Sequence, residues 1–103
     1  MVAKAGLLKL VTLTLLLIAT GSSHAQQELR KTFFKEADAA LAAAETANAK
    51  LLSPRNYERG LKEYRDAETA LQRGRNIEFV RSNAADATEY LRAAAEKAEL
   101  AAT

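Results

Sequence analysis

Apolar and polar positions follow helical spacing through most of the chain. Phe34, Ala37, Leu41, Ala44, Asn48 and Leu51 recur in a 3-4-3-4-3 pattern, one seam of a helix, with Leu29 and Phe33 beside it. Tyr57, Leu61, Tyr64 and Leu71, with Ala67 between them, form a second seam. Ile77, Val80, Ala84, Ala87, Leu91, Ala94, Ala98 and Ala101 form a third, the most regular of the three. No stretch alternates with period two over strand length, so no sheet is expected. The pattern predicts an all-α, antiparallel three-helix bundle with long alanine-rich helices at about 28–52, 54–73 and 77–102.

The breaks between seams carry their own signals. Ser53 can cap a helix, and Pro54 suits its first position, where the missing N–H has no partner to lose. A residue before proline is pushed toward extended geometry, so the first helix should stop near Leu52. Leu52 and Tyr57 have the spacing of a hydrophobic staple across that corner. Gly74 is the expected stop of the second helix, and Asn76 the cap of the third. Gly60 sits inside a helix, where it costs up to about 1 kcal/mol relative to alanine. A closely approaching neighbour would account for it.

The first 25 residues read differently. Lys4 and Lys9 precede an apolar run from Leu10 to Ala19, and Ser23-His24-Ala25 offers small residues at the positions a signal peptidase reads. The run is shorter than the ~20 residues a spanning helix needs. The expectation is a secretory signal peptide over 1–25, cleaved after Ala25, and a single exported domain over 26–103 with no stable membrane span. No cysteine follows the apolar run, which argues against a lipoprotein.

Export changes the charge picture. Without Lys4 and Lys9, 13 basic residues face 13 acidic ones, so the basic pI belongs to the signal and a nucleic-acid partner is not expected. The exported segment holds 19 alanines and only 16 larger apolar residues, tyrosines included. So lean a core, without disulfides, points to self-association or to a partner protein of the envelope.

Candidate chemistry is sparse. The chain has no cysteine, and His24, its only histidine, leaves with the signal. That excludes Ser-His-Asp and Cys-His nucleophiles, the usual zinc ligands and histidine-ligated haem. Carboxylate pairs such as Glu36 with Asp38, or Glu96 with Glu99, read as solvated charges on alanine-rich helices, without the cleft that acid–base work needs. No glycine-rich phosphate loop is present. A non-enzyme with no cofactor and no metal is expected.

Binding candidates remain. Arg73, Arg75 and Arg81 gather around the second turn. They could contact an envelope anion, such as lipid phosphate or a cell-wall carboxylate, or simply be a favoured helix-end cation and solvated neighbours. Phe33, Phe34, Tyr57, Tyr64 and Tyr90 could line a partner-binding helix face or fill the protein's own core. Asn48, on the first seam, could set pairing there or be exposed near the helix end.

Three stretches carry a resemblance. Phe33-Phe34-Lys35-Glu36-Ala37-Asp38-Ala39-Ala40-Leu41, Leu52-Ser53-Pro54-Arg55-Asn56-Tyr57-Glu58-Arg59-Gly60-Leu61 and Arg73-Gly74-Arg75-Asn76 resemble a small bacterial envelope family of unknown function. Its members are exported, alanine-rich helical modules, some similar to the segment preceding an outer-membrane-protein-A-type, peptidoglycan-binding domain. The likeness spans nearly all of 33–102, and its Ser-Pro-x-x-Tyr-x-x-Gly corner is the specific part. No peptidoglycan-binding domain follows, so cell-wall anchoring does not carry over, and the family supplies no catalytic residues. A Gram-negative envelope is implied by this resemblance alone. More distantly, Tyr57-x-x-Gly60-Leu61-x-x-Tyr64 is similar to the first helix of a tetratricopeptide repeat with Leu and Gly interchanged. Ala87-x-x-x-Leu91-x-x-Ala94 is similar to its second helix, but the two lie too far apart for one standard repeat. The resulting expectation is a non-catalytic periplasmic interaction module that binds a partner protein or itself through a helix face. The alternative is a periplasmic holdase for unfolded envelope proteins.

Overall fold

The computed structural model describes residues 25–103, so the signal-peptide expectation falls outside the described residues except at Ala25. Four helices form: α1 over residues 25–46, α2 Ala49–Leu52, α3 Pro54–Gln72 and α4 Ile77–Ala102. No strand occurs among the described residues. The all-α class holds, but the expected first helix is two helices.

Asn48 makes the break. It adopts a left-handed conformation, φ 63° and ψ 38°, which asparagine tolerates better than most residues. Its N–H reaches back to the Glu45 carbonyl at 3.1 Å. Its own carbonyl accepts from the Leu51 and Leu52 N–H groups, at 3.2 and 3.1 Å, and so starts α2. The break re-phases the chain. Ala49 turns fully inward, Asn48 is exposed, and Leu51 is left 73% exposed. The expected seam therefore ends at Ala44, and Asn48 and Leu51 do not belong to it.

Ser53 stands at the N-cap of α3, but its hydroxyl makes no capping bond; its carbonyl accepts the Tyr57 N–H at 3.1 Å. Pro54 takes the first position as expected. At the far end of α3, Gly74 has φ +66°. The Gly74 N–H donates to Leu71 O at 3.1 Å and the Arg75 N–H to Ala70 O at 2.9 Å, the paired bonds of a Schellman stop. Asn76 Oδ1 then accepts the Glu78 N–H at 3.0 Å and caps α4.

Side-chain pairs set the helix directions. Arg30 meets Glu68, and Asp38 meets Tyr64, so α1 and α3 run antiparallel. Gly60 lies against Leu91, while Asp66 and Asn83 line one hollow, so α3 and α4 are antiparallel too. Phe33 shares a hollow with Arg81, and Glu36 lies 4.0 Å from Arg92, so α1 and α4 are parallel. The short α2 packs across α3 and α4.

The core is built mostly of methyl groups. Phe34, Leu91 and Val80 are its largest fully enclosed side chains, joined by Tyr57 and Tyr64. Alanines of all four helices fill the rest. The α4 seam is buried from Val80 through Ala98, while Ile77 and Ala101, at its two ends, are exposed. Gly60 is explained: a Cβ there would sit 2.6 Å from Leu91 Cγ and 3.2 Å from Leu91 N. Among the described residues no helix is long and apolar enough to cross a membrane.

Candidate functional site

The residues expected to form a binding face separate on folding. Phe34, Tyr57 and Tyr64 are buried and belong to the protein's own core. Phe33 is partly buried in the α1–α4 hollow beside Arg81. Tyr90 is half-buried, with the Arg59 guanidinium 5.1 Å above its ring. Of the expected five, only these two reach the surface.

The densest polar arrangement lies between α1 and α3. Arg30 donates to Glu68 Oε2 at 2.8 Å and to the Tyr64 hydroxyl at 2.5 Å. The Tyr64 hydroxyl donates to Asp38 Oδ1 at 2.5 Å. The same guanidinium stands 4.7 Å from the Phe34 ring centre, and Phe34 and Tyr64 meet edge to face at 5.3 Å and 79°. Burial, then the hydrogen bond to Asp38, pushes the Tyr64 hydroxyl up to about 12 despite the Arg30 charge, so it stays protonated and acts as a donor. Burial opposes the Arg30 charge, but Tyr64, Glu68 and Asp38 together hold it above its ordinary value. A permanently charged arginine and a tyrosine that keeps its proton form a clasp between helices. Neither is poised to exchange a proton near neutral pH.

The arginines do not form one cluster. Arg73 and Arg75 line a hollow between α3 and α4 with Phe79, and the Arg75 guanidinium lies 5.4 Å from the Phe79 ring centre. Arg81 faces the other way, into the α1–α4 hollow, and pairs with Glu78 at 3.5 Å.

Of the large apolar groups left outside, Leu51 and Ile77 were seam positions, whereas Leu52, Phe79 and Leu100 were not. Leu51 and Leu52 on α2, with Leu100 in the last turn of α4, lie at one end of the molecule. Ile77 and Phe79 lie at the other, just after the end of α3 that Gln26 and Gln27 of α1 meet. Phe79 and Leu100 fall off the α4 seam in the sequence, a signal that could have marked them. Leu51 gave none, because its exposure depends on the turn at Asn48. Arg30 stands one helical turn before Phe34, so their contact was readable. Its α3 partners, 34 and 38 residues away, were not. Comparison with family models, curated proteins and solved structures finds no match to this chain.

Proposed function

We propose that the protein is a non-catalytic helical interaction module of the bacterial cell envelope, exported to the periplasm, that pairs with a second copy of itself. The observation that carries this reading is the leucine patch at the α2 end. Leu51 is 73% and Leu100 74% exposed, on α2 and α4, which pack against each other. Burying such side chains is favourable by about 1.5–3 kcal/mol each.

Charge favours a second copy as the occupant. The exposed charges next to Leu51, Lys50 and Arg55, are basic, and near Leu100 the exposed Glu96 and Glu99 outnumber the one exposed base, Lys97. A two-fold contact sets each copy's basic flank against its partner's acidic flank. The test is sedimentation of the protein across a concentration series, beside a Leu51→Glu/Leu100→Glu variant. A concentration-dependent dimer that the variant loses at unchanged helicity is the expected result. A wild-type monomer at every reachable concentration would overturn self-pairing. Cell fractionation with N-terminal sequencing tests the export: recovery of a periplasmic chain beginning at Gln26 is expected, and an unprocessed cytoplasmic chain would refute it.

A further inference from the structure

We propose that the α3–α4 turn is a docking edge for an anionic lipid surface, with Arg73 and Arg75 taking the headgroup phosphates and Ile77 and Phe79 entering the headgroup boundary. This surface lies at the end opposite the leucine patch and does not depend on self-pairing.

Three observations meet there. Every residue from 72 to 79 is exposed, including two large apolar side chains, Phe79 at 56% and Ile77 at 45%. Nothing in the packing requires an aromatic ring at position 79, since the core takes Val80 instead. Second, the nearby carboxylates are engaged elsewhere: Asp66 is held by Lys62 at 3.1 Å, and Glu78 lies 3.5 Å from Arg81. Among the described residues no carboxylate lies within ion-pair distance of Arg73 or Arg75. Third, the two cations share one hollow with the exposed ring and with Asp66, whose carboxylate is taken by Lys62, and the Arg75 guanidinium lies over the ring. Free positive charge beside a projecting aromatic and an aliphatic group matches the boundary of an anionic membrane, where rings sit at headgroup depth and cations meet phosphate. The cations stand on a turn whose every residue is exposed, so a flat charged surface fits better than an enclosed small ligand.

Charge complementarity distinguishes this surface from the leucine patch. There, both signs are present and suit a second copy. At the turn, the charge left unpaired has one sign only.

The test is flotation of the full chain with vesicles of phosphatidylcholine alone and of phosphatidylcholine with phosphatidylglycerol. The full chain also carries Lys4 and Lys9 beside its apolar run, which themselves favour anionic vesicles, so the readout is the part of the difference between the two compositions that is lost with Arg73 and Arg75. Each arginine at an anionic leaflet is worth about fivefold in affinity. Arg73→Gln/Arg75→Gln should therefore lose about 25-fold on the anionic vesicles only. Arg73→Lys/Arg75→Lys should keep most of the binding, because a leaflet reads charge rather than a bidentate fork. Phe79→Ser should weaken it without changing the salt dependence. All the substituted residues are exposed, and helicity is checked in each variant. Equal binding to both vesicles would overturn the proposal. So would unchanged binding by the glutamine variant, or arginine-dependent capture of peptidoglycan or of a protein with none on vesicles.

Discussion

Gly60 of α3 and Leu91 of α4 occupy one another's space: a single added methyl at Gly60 would lie 2.6 Å from Leu91 Cγ. Helix propensity favours Gly60→Ala by up to about 1 kcal/mol. Overpacking a buried site costs about 1–3 kcal/mol, and here the Leu91 backbone nitrogen also lies 3.2 Å away. The substitution should lower stability by about 1–2 kcal/mol in denaturant unfolding. Leu91→Ala alone should cost about 2–5 kcal/mol. The two together should cost less than their sum, because each relieves the other. Strict additivity would mean that the close approach is not a constraint.

Two left-handed positions make opposite tolerances measurable. Asn48→Gly should change thermal stability little, while Asn48→Ala should cost about 1–2 kcal/mol through backbone strain. Gly74→Ala should cost a similar amount although nothing lies within 4 Å of the added methyl. A harmless Asn48→Ala would show that α1 and α2 join into one helix without penalty.

The α1–α3 clasp predicts an alkaline weakness. The folded protein holds the Tyr64 proton up to about 12, above the ordinary value of 10.0. The stability this represents is complete below pH 10 and is withdrawn as the pH rises from there through 12. Helicity and tyrosinate absorbance should change together in that window. Tyr64→Phe should be less stable at neutral pH, yet lose less between the two values. An identical alkaline profile in the variant would separate the hydroxyl from the stability.

Phe34 and Leu51 were expected on one seam and are predicted to behave unlike each other. Phe34 is fully enclosed, so Phe34→Ala should cost about 3–5 kcal/mol. Leu51 stands largely in solvent, so Leu51→Ala in the monomer should shift stability by less than about 0.5 kcal/mol. Equal losses would place both in one core.

What was legible was local. Gly74 and Pro54 act through their own backbone geometry, and Asn76 through a side-chain bond two residues on, so they mean the same in the sequence as in the fold. Gly60 declared a close contact without naming Leu91. Asn48 misled because a polar residue in phase with a seam looks like part of it, and only its backbone angle shows otherwise. The clasp was hidden for a different reason: Arg30, Asp38, Tyr64 and Glu68 meet through the antiparallel pairing of two helices, which no spacing along one of them encodes. The exposure of Leu51 followed from the same error at Asn48, since re-phasing four residues turned Leu51 outward and Ala49 inward.

A wall of methyl groups governs how near two helices come, but it is almost smooth along their length. If α1 slid past α3 by one turn, its alanines would offer little resistance, while the edge-to-face pair of Phe34 and Tyr64 would come apart. The other groups that resist such sliding are long and polar: Arg30 finds Glu68 and Tyr64, and Tyr64 finds Asp38. In this protein the greasy interior supplies cohesion, while a few hydrogen bonds near its edge work as the detent that stops the helices in place.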